Sequence, residues 1–166
     1  MKLHKYIPRA LSSEIEFSAV EYPVVTLIGP RQSGKTTLVR ELFPAHRYVN
    51  LEDPQIRSLA EADPQSFLER FPAPVIFDEV QRVPALLSYV QVTVDERPTA
   101  KGEWILTGSN QLKLRESVSQ SLAGRTAVLT LLPFSIHELT ADGAVQSSPY
   151  EDWIHRGFLP RIYREG

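Results

Sequence analysis

Short apolar runs alternate with amphipathic or polar stretches along most of the chain. The runs are rich in β-branched residues and apolar at consecutive positions, which is typical of strands buried on both faces of a parallel sheet. The predicted strands are residues 24–28, 47–51, 75–77, 104–106 and 126–132. The predicted helices are residues 10–20, 35–42, 54–61, 64–70, 84–95, a stretch ending near 122, 135–139 and 151–156. This alternation predicts an α/β fold whose parallel sheet is covered by helices on both faces.

Composition narrows the class of protein without changing this fold. A length of 166 residues suits one α/β domain, and a net charge of -2 provides no overall basic field for nucleic acid. The sequence has no cysteine, which excludes disulfides and thiolate metal sites. The four histidines lack metal-ligand spacing, so structural or solvated roles are expected for His4, His46, His137 and His155. Without a signal peptide or an apolar run of about 20 residues, the expected location is the cytoplasm.

A glycine-rich segment directly follows the first predicted strand. It reads GPRQSGKT from Gly29 to Thr36 and matches the phosphate-loop pattern G-x-x-x-x-G-K-[ST] between a strand and a helix. Gly29 and Gly34 allow backbone angles that let the N–H groups of the loop converge on phosphate oxygens. Lys35 is expected to carry positive charge to the β- and γ-phosphates, and the Thr36 hydroxyl to ligate Mg²⁺.

The predicted nucleotide-binding set covers the whole loop and the residue that follows it. For Arg31 and Gln32, a solvated loop role is an equal alternative. The set is Gly29, Pro30, Arg31, Gln32, Ser33, Gly34, Lys35, Thr36 and Thr37.

Two carboxylates follow the third predicted strand. Because ligands of open parallel sheets bind outside the carboxyl ends of strands, Asp78 is expected near Thr36 as a second Mg²⁺ ligand. Its alternative role is that of a turn or cap residue. Glu79 is predicted to polarise the attacking water, with a plain surface charge as the alternative. Together with the loop, this pair predicts Mg²⁺-dependent ATP hydrolysis.

Two further polar segments hold candidate residues for a contact with the γ-phosphate. The fourth predicted strand ends in a polar tip, where Asn110 is the first choice for a contact and Ser109 the second; either residue could instead cap the next helix. Arg125 precedes the fifth predicted strand and is a candidate arginine finger, in cis or from a neighbouring subunit. A structural surface arginine is the alternative for that position.

Five motifs together resemble one family. GPRQSGKTTL, VIFDEVQRVP, LTGSNQ, SLAGRT and LLPFSIHEL occur in the order seen in a group of prokaryotic AAA-type ATPases, which usually carry a C-terminal domain of unknown function 4143. The resemblance runs from about Arg9 to Arg161. It implies a P-loop NTPase of AAA type, with three α/β/α layers and a five-stranded parallel sheet of order 5-1-4-3-2. It also implies that Asn110 occupies the first sensor position.

The same resemblance suggests how the chain is organised. We expect an N-terminal helical segment at residues 1–22, an ATPase core at 23–140 and a C-terminal segment at 141–166. Family members continue well beyond this point, so the chain is expected to be the ATPase core of a longer architecture. The second sensor arginine of a lid cannot be placed in it.

The predicted function is that of an ATPase with ATP and Mg²⁺ as cofactors and an unknown protein partner. A homo-oligomer in which Arg125 acts in trans is a possible assembly, and no membrane association is predicted. One alternative is a nucleotide-gated switch with little turnover. Another is a nucleic-acid-associated ATPase, weakly indicated by Arg115, Arg125, Arg156 and Arg161.

Overall fold

The computed structural model describes residues 6–109, 111–141, 145 and 149–164. The strands are β1 (Val24–Ile28), β2 (Arg47–Asn50), β3 (Val75–Asp78), β4 (Trp104–Gly108) and β5 (Thr126–Thr130). The helices are α1 (Ser12–Glu21), α2 (Lys35–Leu42), α3 (Pro54–Ala62), α4 (Pro64–Arg70), α5 (Leu86–Glu96), α6 (Gln111–Ser121), α7 (Ile136–Thr140), α8 (Tyr150–Arg156) and α9 (Pro160–Arg164). A short 3₁₀ helix spans Val80–Arg82.

The five strands form one parallel sheet of order β2-β3-β4-β1-β5. This is the predicted order 5-1-4-3-2 read from the other edge, so the expected α/β architecture is confirmed. In the register of the central strands, Ile28 of β1 lies opposite Gly108 of β4 on one side and Thr130 of β5 on the other. The loops that follow these strands therefore emerge at the same edge of the sheet.

Alternating residues of each central strand pack into two separate cores. Val24 and Ile28 of β1 face one core, which is filled from α3 to α6, whereas Val25 and Leu27 face the other. The second core is closed by α1 and α2 through residues such as Ile15. Every residue of β1 is buried, as its uninterrupted apolar pattern predicts. The two cores make the fold a three-layer α/β/α arrangement.

Several element boundaries differ from the predicted ones. β5 ends at Thr130 instead of residue 132, because its partner β1 ends at Ile28 and the carbonyl of Leu132 accepts a side-chain hydrogen bond instead. α5 begins at Leu86 instead of residue 84, since residues 83–87 first form i→i+3 turns. The 3₁₀ helix and α9 were not predicted, and both are too short to show helical periodicity.

Within the described ranges, no helix combines the length and the apolar character needed to cross a membrane.

Candidate functional site

The glycine-rich loop connects β1 to α2 in a tightly packed turn. Gly34 is the N-cap residue of α2 and has a left-handed φ of 94°. A side chain at Gly29 would overlap the carbonyl oxygen of Leu131, which follows β5. Gln32, at the tip, also has a positive φ of 63°, an uncommon conformation for a residue with a side chain. The two glycines are thus required by backbone geometry, as the motif predicts.

Lys35 lies inside the loop that precedes it. Its Nζ donates to the carbonyl oxygens of Gly29 at 3.1 Å and Pro30 at 2.9 Å. Burial lowers the pKa of Lys35, whereas the nearby carboxylates of Glu79 and Asp78 act in the opposite direction. Two carbonyl oxygens of the loop therefore hold the ammonium group.

The two predicted Mg²⁺ ligands, Thr36 and Asp78, are in direct contact. The Thr36 Oγ1 donates to Asp78 Oδ2 at 2.8 Å, and the Tyr48 hydroxyl donates to the same oxygen at 2.7 Å. The Thr107 hydroxyl donates to the other carboxylate oxygen. Asp78 is itself buried at the end of β3. The donors at this point are all oxygen atoms, which fits the ligand preference of Mg²⁺.

Tyr48 and Thr107 were not predicted from the sequence to belong to this site. Tyr48 lies in β2. The pKa of its hydroxyl is raised, mainly by burial and to a smaller extent by the hydrogen bond to Asp78. Thr107 belongs to the polar tip of β4, so its motif carried a signal that was assigned to later residues. Tyr48 sits in an ordinary strand and carried no such signal.

Glu79 is held by side chains from two directions. Its Oε2 accepts a hydrogen bond from Ser109 Oγ at 2.8 Å and another from Gln81 Nε2. Its backbone has a left-handed φ of 58°, a strained conformation of the kind that clusters at functional sites. Ser109 thus reaches the predicted water-activating group. Asn110, the first choice for the sensor, lies outside the described residues.

The loop and Glu79 line a cavity of about 670 Å³. Its polar side includes the glycine-rich loop, the start of α2 and Glu79. Arg31 also lies here, largely exposed and 3.4 Å from Glu52. The apolar lining of the cavity comes from Tyr6, Ile7, Leu38, Phe134, Pro160 and Tyr163. One cavity therefore has a polar surface, formed by the glycine-rich loop, next to an apolar one.

Arg9 supports the loop through a hydrogen bond to its backbone, and no motif in the sequence indicates this role. Its Nε donates to Glu138 Oε1 at 3.0 Å and its Nη1 to the carbonyl of Ser33 at 2.9 Å. Its Nη2 donates to the carbonyl of Leu132 at 2.6 Å, and its guanidinium lies over the Phe134 ring. The side chain is buried. Arg9 therefore ties the N-terminal segment to the phosphate loop and to the segment after β5.

The other candidate arginines lie apart from one another. Arg125 forms a two-point ion pair with Asp95, at 2.6 and 2.8 Å. Arg115 donates to Thr130 at the far end of β5, and Arg161 lines the cavity. Arg115 and Arg125 thus lie at opposite ends of one strand.

Comparison with known proteins identifies the family of the chain. Residues 21–140 match the family model described as AAA domain. Uncharacterized proteins of Mycobacterium bovis and Mycobacterium tuberculosis are each 33% identical over 140 residues, covering 83% of this chain and 30% of the relative. The chain thus spans about 30% of the length of the curated relatives it matches.

A solved Walker-type ATPase of Pyrococcus abyssi has a similar fold. It superimposes with a TM-score of 0.55 at 20% identity, over 80% of this chain and 55% of that one. At this identity the likeness concerns the arrangement of the strands and helices.

Proposed function

Because the chain belongs to the family of AAA domains, we propose that it binds ATP with Mg²⁺ at the phosphate loop and hydrolyses it. The observation that carries this proposal is the contact between Thr36 and Asp78, at 2.8 Å, beside the buried Lys35. A turn with only a structural role would not require the Lys35 ammonium group to lie close to the oxygen atoms of Thr36 and Asp78 beside a cavity. A nucleoside triphosphate requires both.

Binding uses groups that are already oriented. The loop N–H groups and the start of α2 receive the phosphate oxygens, since a helix N-terminus favours negative charge. Lys35 exchanges its carbonyl contacts for the β- and γ-phosphates. Thr36 and Asp78 would hold Mg²⁺, which would neutralise charge on the phosphate oxygens. Among the described residues, no group of three or more acidic or histidine side chains forms a metal cage, so the remaining ligands would be phosphate and water.

Hydrolysis is assigned to Glu79. Its carboxylate lines the cavity that also contains Lys35 and Thr36. Glu79 orients a water molecule and receives its proton while the water oxygen bonds to the γ-phosphorus. The bond from that phosphorus to the β–γ bridging oxygen breaks, and the products are ADP and inorganic phosphate. The lining by Tyr6, Ile7 and Tyr163 suits the base and ribose.

Arg125 is proposed to serve a neighbouring subunit. It precedes β5, and its carbonyl accepts from the N–H of Val24 at the amino end of β1. The phosphate loop begins five residues further along β1, about 16 Å away at the usual rise of a strand. Arg125 therefore faces away from its own nucleotide, and only assembly could place it at a γ-phosphate.

Phosphate release by the purified chain tests the proposed function. The wild type is expected to release phosphate only with Mg²⁺, and Glu79→Gln to bind ATP normally while hydrolysing it at least tenfold more slowly. Glu61→Gln, on the exposed face of α3, is the matched control. If Glu79→Gln hydrolyses ATP at the wild-type rate, the assignment of the water-activating group is wrong. Binding without any hydrolysis by the wild type would favour a nucleotide-gated switch, and stimulation by DNA a nucleic-acid-associated ATPase.

A further inference from the structure

Gln81 lies in the 3₁₀ helix directly after the acidic pair, where its side chain turns back toward β4. Its Nε2 donates to Glu79 Oε2 and, at 3.3 Å, approaches Ser109 Oγ. Ser109 in turn donates to the same Glu79 oxygen at 2.8 Å. The three side chains form a closed triangle that joins the end of β3 to the end of β4.

The orientation of the Gln81 amide follows from its neighbours. With Nε2 toward Glu79, the amide donates to a carboxylate, whereas the reversed amide would place two acceptor oxygens against each other. The Gln81 Oε1 then lies buried, and no hydrogen-bond partner for it is found among the described residues. A buried acceptor without a hydrogen bond costs free energy. The hydrogen bonds that Nε2 donates to Glu79 and Ser109 offset this cost.

The backbone of β4 is shaped to admit this amide. Gly108 ends the strand, and a side chain there would overlap both Gln81 Oε1 and Leu114 Cδ2. The glycine therefore allows Gln81 to pack flat against the strand that bears Ser109. Thr107, the preceding residue, contacts Asp78, so the end of β4 and the residue that follows it, Ser109, support the two carboxylates.

The hydrogen bonds of the triangle use only one carboxylate oxygen of Glu79, Oε2. Both donors converge on Oε2, and among the described side chains no hydrogen bond to Oε1 is found. Glu79 also lines the cavity with the phosphate loop. The backbone of Glu79 has a φ of 58°. Without the two hydrogen bonds to Oε2, its carboxylate could rotate about the side-chain torsions, which would misplace a catalytic base.

We propose that Gln81 is a positioning residue that, with Ser109, fixes the carboxylate of Glu79 so that Oε1 faces the attacking water. This proposal rests on the proposed function, because it acts through Glu79. The structure assigns Gln81 no contact with the phosphate loop, so its removal should affect the rate of hydrolysis and not the affinity for ATP.

A double-mutant cycle with phosphate release, calorimetry and thermal unfolding tests this role. Gln81→Met keeps the length and packing of the side chain but has no donor, and Gln65→Met on the exposed face of α4 is its matched control. We expect Gln81→Met to lower kcat about tenfold, as loss of a hydrogen bond to a charged group would. The dissociation constant for ATP and the unfolding midpoint should remain close to those of the control.

The effect of Gln81→Met in the Glu79→Gln background distinguishes a positioning role of Gln81 from a purely structural one. If Gln81 acts only by orienting Glu79, Gln81→Met should cause no further loss of hydrolysis once Glu79 is replaced. An equal fold-loss in both backgrounds, or an unchanged kcat for Gln81→Met, would overturn the positioning role alone. A wild-type rate in Glu79→Gln, or no hydrolysis by the wild type, would refute the role of Glu79 and this inference with it.

Discussion

Replacing Arg9 by methionine is expected to destabilise the fold by about 3–5 kcal/mol, the usual cost of removing one partner of a buried ion pair. Arg9 is 7% exposed and donates to Glu138, to Ser33 and to Leu132. Methionine fills much of the volume but leaves the Glu138 carboxylate without its cation. The carbonyl oxygens of Ser33 in the phosphate loop and of Leu132 after β5 also lose their donor.

For a domain of this size, such a loss corresponds to a fall of roughly 6–20 °C in the unfolding midpoint. Thermal and urea unfolding of purified protein would measure it. The matched control is Arg97→Met, because Arg97 forms an exposed ion pair with Glu103, at 2.9 Å. That change should cost less than about 1 kcal/mol.

The double variant Arg9→Met with Glu138→Gln separates the cost of the unpaired Glu138 charge from the other effects of losing Arg9. Removing the unpaired carboxylate should recover part of the lost stability, so the two changes should be less than additive. If Arg9→Met is no more destabilising than Arg97→Met, the pair does not hold the loop, and the reasoning from burial fails.

Three further predictions concern other parts of the site. Asp78→Asn should weaken Mg²⁺-dependent ATP binding while leaving Mg²⁺-independent binding unchanged; equal dependence on Mg²⁺ in titrations of both proteins would exclude Asp78 as a ligand. If Arg125 acts in trans, specific activity should rise with protein concentration, Arg125→Ala should abolish the rise, and mixing it with Glu79→Gln should restore activity; a flat profile and no restoration would leave Arg125 a structural partner of Asp95. Burial alone would raise the pKa of Glu138, but hydrogen bonds from the backbone of Ser135 and Ala10 and from Arg9 lower it below its ordinary value of 4.5. Its stabilising contribution is therefore complete above that pH and lost as the pH falls through the folded pKa. Glu138→Gln should show less acid destabilisation in unfolding titrations that begin above pH 4.5 and continue below it, and an unchanged pH profile would contradict this.

Most of the elements could be predicted because their signals are local, whereas the order of the strands was implied by the resemblance to the AAA-type family. β1 is an unbroken apolar run, and the glycine-rich loop directly follows it, so strand, turn and helix support one another. The boundaries that differ depend on partners far away in sequence. β5 stops where β1 stops, which no pattern within residues 126–132 records.

The same distinction separates the predicted from the unpredicted site residues. Lys35, Thr36 and Asp78 follow from a motif and from the rule that strand ends meet at one edge. Tyr48 reaches Asp78 across 30 positions, and Arg9 reaches Glu138 across 129. Such contacts arise only from tertiary packing, and an arginine or tyrosine outside a motif gives no local sign of them.

Calorimetric titration of Mg²⁺-ATP into the wild type and Lys35→Ala tests the central claim most directly. Lys35 is the buried cation of the phosphate loop, so its loss should abolish Mg²⁺-dependent binding, while Lys101→Ala at an exposed position should bind like the wild type. The account predicts one ATP site that depends on Lys35 and on Mg²⁺. Unchanged affinity for ATP in Lys35→Ala would place the nucleotide site elsewhere and contradict it.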